Sequence, residues 1–96
     1  METTDENKYL PVQDTSTKAT YSYAVINKGN FPAVAKIQIS PNARNYADDT
    51  EQPVDAGETV VLVPNRFLRY TRLAVRSERS DESTIVDVYF QSQEVK

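Results

Sequence analysis

Four of the five carboxylates of the stretch SPNARNYADDTEQPVDAGETVVLVP, Asp48, Asp49, Glu51 and Asp55, crowd its middle, and Arg66, Arg69, Arg72 and Arg76 follow it closely. A flexible loop rich in carboxylates is the kind of site that Ca²⁺ fills with roughly six to eight oxygens. The spacing here fits no EF-hand loop, and the glycine such a loop needs at its sharp turn is missing. We read the segment as a solvated acidic loop and assign no metal. The chain has no His and no Cys, so the commonest general base, the commonest transition-metal ligand and a thiolate nucleophile are all absent. Ser and Thr would need Lys or a carboxylate as base, and no recognised spacing offers one. Every Asp and Glu falls in a turn or on an exposed strand face, so no glycosidase pair is expected. Gly29 and Gly57 are the only glycines, which leaves phosphate cradling unsupported. The sequence therefore points to no catalytic residue, no cofactor and no enzyme activity.

The arginines are the next candidates. Residues 66–79 hold five Arg against one Glu, a charge of +4 between acidic segments of −4 (residues 1–65) and −3 (residues 80–96). RFLRYTR, residues 66–72, interleaves Arg with aromatics as single-strand nucleic-acid surfaces do. The acidic flanks would cancel the local charge that phosphate contacts need, so nucleic acid is not an expected partner. A strip of one sign flanked by the other suits an acidic partner such as a second copy of the chain. Strand arginines that merely solvate one sheet face are the alternative.

The elements that must position these residues read as short strands. Nowhere do apolar residues recur at helical spacing over the 11 or so residues that an amphipathic helix requires. ATYSYAVIN (19–27) is rich in Tyr and β-branched residues and stops at KGNFP; AVAKIQIS (33–40) alternates, with Ala35, Ile37 and Ile39 on one face. The two read as an antiparallel hairpin. SPN opens a turn at Ser40 and Pro41, and Tyr46 is read as a lid over the end of the core with its hydroxyl in water. TVVLVP (59–64) reads as a strand buried on both faces or crossing an edge. The three-residue Arg spacing in 66–77 is not strand-like, and a bulge or corner around Leu68–Thr71 would reconcile it, leaving Leu73 and Val75 inward. TIVDVYFQSQ (84–93) is a last strand, with Val86, Val88 and Phe90 inward, and residues 9–14 and 44–47 are weaker candidates. This pattern describes one all-β domain, a single antiparallel β-sandwich or jelly-roll of about seven to eight short strands, over residues 19–96.

Residues 1–18 read as an extended N-terminal arm. KYLPVQ places Tyr9, Leu10 and Val12 in a Pro-containing segment that could add as a strand to a neighbour's sheet. An edge strand folded back on its own domain is the alternative. The arm has no apolar run of the sort a secretory signal needs, so synthesis in the cytoplasm is expected. No stretch is apolar enough for a membrane span.

YSYAVINKGNFPAVAKIQISPN, LVPNRFLRYTRLAVRS and VYFQSQ carry a resemblance. They are similar to an uncharacterised family of small β-sandwich domains, a domain of unknown function from spore-forming Gram-positive bacteria. The resemblance covers about residues 20–93 and implies that Ser40, Pro41, Tyr70, Thr71, Arg72 and Leu73 belong to a shared framework. The family's turn usually has Gly or Asp where this chain has Ala43 or Asn42. By architecture alone the domain also resembles the jelly-roll subunits of spore appendages, which implies assembly through N-terminal arms; without Cys it would be non-covalent here.

The expectation is a non-enzymatic structural subunit, a homo-oligomer or polymer forming a filament or surface layer; the resemblance implies a spore or cell surface, reached after mother-cell lysis. Its contacts would be Tyr9, Leu10 and Val12 of the arm and Arg66, Arg69, Arg72 and Arg76 of the strip. The alternative is a monomeric module that binds sugar or protein through loops 41–55 and 77–83.

Overall fold

Eight strands form in the order β1 (Lys8–Tyr9), β2 (Gln13–Asp14), β3 (Lys18–Asn27), β4 (Ala33–Ser40), β5 (Ala47–Val54), β6 (Thr59–Leu62), β7 (Tyr70–Ser77) and β8 (Val86–Glu94). They come from a computed structural model that describes residues 1–94. The larger sheet runs β1-β7-β4-β5, with β2 also on β7, and the smaller runs β6-β3-β8; every pairing is antiparallel. The two sheets pack as a β-sandwich. No helix among the described residues is long and apolar enough to cross a membrane.

Alternation builds the core. Ala33, Ala35, Ile37 and Ile39 of β4 and Leu73 and Val75 of β7 face Tyr23 and Val25 of β3, Val60 and Leu62 of β6 and Val86 of β8. Val88, Phe90 and Leu10 pack against this cluster. The Phe90 ring lies 5.1 Å from that of Tyr23 and 5.8 Å from that of Tyr21, tilted to both. Burial pushes the Tyr23 phenol well above its usual range, and Thr71 beside it offsets this only in part, so that hydroxyl stays protonated.

Several expectations are corrected. Residues 19–27 and 33–40 do not pair: β3 lies between β6 and β8, whereas β4 lies between β5 and β7. The KGNFP loop therefore crosses between sheets. Asn27 makes that crossing possible: its side chain donates to Phe31 O (2.8 Å) and Val54 O (3.0 Å) and accepts from Gly29 N (3.0 Å) and the Thr84 hydroxyl (2.8 Å). Gly29 is needed because a Cβ there would fall 1.9 Å from Thr84 Oγ1. The acidic stretch beyond Tyr46 is a strand, β5, paired with β4 as the true hairpin. Its acids and Pro53 hid it, because such residues are depleted from strands but tolerated at a sheet edge.

TVVLVP is not buried on both faces. β6 is an edge strand that alternates, with Val60 and Leu62 buried and Val61 exposed. Nor does β7 carry a bulge, since it stays in register with β4 from Ser40↔Tyr70 to Ala33↔Ser77. The whole segment 63–69 is the corner, carrying the chain from the small sheet to the large one. Arg66 and Arg69 lie in it, outside any strand, which accounts for the three-residue spacing.

Candidate functional site

The arginines and the arm, expected to contact other copies, meet each other within one molecule. Lys8↔Val75 and Tyr9↔Ala74 pair β1 with β7, and Gln13↔Thr71 and Asp14↔Tyr70 pair β2 with it. Two buried threonines button the arm down. The Thr3 hydroxyl shares a 2.8 Å hydrogen bond with Ser77 and accepts from Thr84 N at 2.9 Å, and Thr15 donates to Arg69 O at 2.8 Å. Leu10 donates its N–H to Leu73 O (2.9 Å) and joins the core, while Val12 stays exposed.

Arg72 is held between two rings. Its guanidinium carbon sits 4.0 Å from the centre of Tyr9 and 3.8 Å from that of Tyr46. Nε donates to Gln38 Oε1 (2.8 Å), Gln38 Nε2 donates to Asp48 (2.8 Å), and Lys36 approaches Asp48 at 3.5 Å. The Gln38 amide thereby holds the Asp48 carboxyl below its ordinary pKa. Gln38 faces both Arg72 and Asp48 across the ladder, so the network lies on the outer face of the large sheet. Tyr46 is thus no lid over the core end, and its hydroxyl is buried without a hydrogen-bond partner instead of lying in water.

The other arginines are also engaged. A register shift in β5 between the partners of Ile37 and Gln38 leaves Asp49 as an extra residue, turned toward the corner. Its carboxylate accepts from Asn65 N (2.6 Å), from Arg66 N and from Arg66 Nε (both 3.2 Å). Arg69 pairs with Asp14 at 3.1 Å and stands 5.2 Å from the Tyr70 ring centre. The Ser16 N–H and Arg69 lower the Asp14 pKa to about 2. Arg76 donates to Ser77 O at 3.0 Å. Among the described residues no group of three or more His, Cys, Asp or Glu gathers to hold a metal ion. Ser40 folds back on the turn after Pro41, its hydroxyl accepting from Asn42 N (3.2 Å) and Ala43 N (2.9 Å). Thr71 and Leu73 are buried in β7.

What the sequence reading missed is the outer side of β8. Antiparallel sheets leave edges that can template another strand, and proteins protect them with charge, proline or brevity. Three edges here are protected. β5 carries Asp48, Asp49, Glu51 and Pro53; β6 spans four residues and ends just before Pro64; β1 and β2 are two residues each and flank Pro11. β8 runs for nine residues, and from Val88 to Gln93 it contains no charge and no proline.

Among the described residues only the start of that edge is occupied. Val86 N donates to Met1 O at 2.9 Å and Val86 O accepts from the Met1 amino group at 3.1 Å. Val86 thus turns both backbone groups away from β3, and strand alternation turns those of Val88, Phe90 and Ser92 the same way. No register shift intervenes between Val86 and Ser92. Beyond the bridge Glu2↔Ile85, no described strand pairs with this side. Val61, Ala24 and Tyr89 form a row across the small sheet's outer face, with Val61 and Tyr89 more than half exposed. The only available sequence signal was the neutral run VYFQSQ; alternation tells in from out, but not which edge lacks a neighbour.

Residues 14–94 match the family described as Domain of unknown function (DUF6385). The chain belongs to that family. The crystal structure of PirA is similar in fold, with a TM-score of 0.74 over 95% of this chain and 90% of that one at 14% identity. At that identity the likeness speaks for the sandwich alone. No curated protein matches the chain. The family match begins at Asp14, inside β2, so most of the arm lies outside it while the whole of β8 lies within.

Proposed function

We propose that the chain is a non-enzymatic structural subunit that self-assembles by β-augmentation, as part of a filament or surface layer on a spore or cell. The joining surface is the open edge of β8, in place of the N-terminal arm. One observation carries this reading: among the described residues β8 is the one long edge without charge, proline or partner over Val88–Gln93. Main-chain hydrogen bonds along such an edge supply affinity, and the neighbouring apolar row adds buried area. The sequence's resemblance to domains of spore-forming bacteria and, by architecture alone, to spore appendage subunits is what suggests self-assembly on such a surface. The arm, drawn onto β7 and fixed by Thr3, Thr15 and Arg69, is spent within its own chain.

Loop 41–55, the first part of the alternative recognition surface, favours the edge by contrast. Asn42 Oδ1 accepts from Arg44 N and Asn45 N at 2.9 Å each, and Asp49 is committed to the corner, so these two side chains of the first loop are already engaged. Sedimentation velocity across a concentration series tests the reading. Wild-type protein should form larger species as concentration rises. Ser92→Pro removes an outward N–H without touching the β3 ladder and should remain monomeric with the melting temperature unchanged. Wild-type protein that stays monomeric throughout contradicts it.

A further inference from the structure

Taking the β8 edge as the joining surface, we infer that it also receives the free C-terminus of a different protein: the terminal carboxylate meets the Met1 ammonium, and the last, apolar side chain enters the cavity beside Leu10. Met1 makes the lane along β8 a dead end. It runs antiparallel to the start of the edge, with Glu2 bridging Ile85, and it bonds Val86 through its carbonyl at 2.9 Å and its amino group at 3.1 Å. A strand lying on Val88, Phe90 and Ser92 shares that lane, so it must stop or turn aside at Met1. Charge decides its direction. An antiparallel strand that ends there brings a carboxylate to the ammonium, whereas a parallel one brings a second ammonium.

The dead end also sets the register. Opposite Val88, the last residue of the peptide donates its N–H to Val88 O and accepts from Val88 N with its carboxylate, leaving only the place opposite Asp87 before Met1. Directly opposed residues share a face, so its side chain lies on the core side with that of Val88. A cavity of about 340 Å³ opens there, lined by Met1, Leu10, Val86, Asp87, Val88 and Tyr89. Val86 belongs to the core, and Leu10 and Val88 pack against it, so an aliphatic end residue fits and a charged one does not. Asp87 does not repel the carboxylate, because Lys28 neutralises it at 2.6 Å. Lys28 and, to a lesser degree, the Met1 ammonium hold the Asp87 carboxyl below its ordinary pKa, so the field of that ammonium reaches this place. A peptide bound here covers the groups that growth needs and therefore caps assembly.

Fluorescence anisotropy of dilute protein with fluorescein-labelled Ser-Val-Thr-Ile-Thr-Leu, free at its carboxyl end, tests this. The peptide should bind, and its C-terminal amide, or the same peptide ending in Asp, should bind about tenfold more weakly or worse. NMR shifts on binding should centre on the amides of Val88 and Phe90. Protein extended by Val-Thr ahead of Met1 fills the lane with its own chain, so it should lose binding while its melting temperature does not fall. Equal binding of acid and amide, or shifts that spare Val88, overturns the inference. So does the absence of binding up to about 1 mM peptide. Sedimentation of wild-type protein without peptide decides the assembly reading separately: larger species keep that reading whatever the peptide does, and a chain that binds the peptide yet stays monomeric sinks self-assembly alone.

Discussion

Asn27→Ala removes a side chain that is 1% exposed and makes four hydrogen bonds, to Phe31 O, Val54 O, Gly29 N and the Thr84 hydroxyl. It joins the end of β3, the crossing to β4, the end of β5 and the approach to β8. The bonds to Val54 and Thr84 are fully buried, so those two groups lose their partner with no water to replace it. Each such group costs about 1–3 kcal/mol. Phe31 O and Gly29 N are less enclosed and regain solvent, which puts the loss at roughly 2–5 kcal/mol. That is a large share of the roughly 5–15 kcal/mol that a domain has in total. It corresponds to a fall in melting temperature of roughly 10–30 °C for a chain of this size. Urea unfolding should show a lower midpoint at unchanged slope. Asn27→Asp sharpens the test. Its carboxylate still accepts from Gly29 and Thr84 but presents an oxygen to the carbonyls of Phe31 and Val54, so its folded pKa is raised. Stability then holds below the unfolded value of about 4 and is lost as pH rises through the folded pKa. A loss under about 1 kcal/mol for Asn27→Ala, or Asn27→Asp without pH dependence, would refute the reasoning.

Other outcomes follow from the same contacts. Ala43 holds φ at 62°, a left-handed conformation costly for any residue with a Cβ, so Ala43→Gly should stabilise by about 0.5–1 kcal/mol in thermal melts. Arg72→Ala frees Tyr9 and Tyr46 and should cost about 1–3 kcal/mol while speeding tryptic cleavage at Lys8; Arg72→Lys, lacking the planar stack, should not restore protection. The Asp14 carboxyl should titrate by NMR at about 2, with the contacts of β2 to Ser16 and Arg69 intact above that pH and lost as pH falls through it. Titration of Asp14 at an ordinary carboxylate pH would contradict the Arg69 clamp.

Alternation made β3, β4 and β8 legible, because half-buried strands repeat every two residues: Tyr21, Tyr23 and Val25 are buried, as are Ile37 and Ile39. Pairing was not legible. A short loop such as KGNFP serves equally for a hairpin or a change of sheet, and the choice depends on Asn27 reaching Val54 O, 27 residues away. β5 escaped notice because an edge strand tolerates acids and Pro53. The arginine strip was visible as charge, but the partners that occupy it, Asp14, Gln38 and Asp49, come from distant segments. The candidate surface itself was hidden for the same reason. VYFQSQ reads as an ordinary strand, and only the sheet order puts it at an edge with nothing beyond.

Amide hydrogen exchange at Val88, Phe90 and Ser92, followed as a function of protein concentration, tests the assembly account most directly. In dilute protein these three amides should exchange rapidly while those of Tyr89 and Gln91, bonded to β3, stay protected. In concentrated protein all five should be protected. Protection of the three in dilute monomer, or fast exchange that persists once large species have formed, would contradict it.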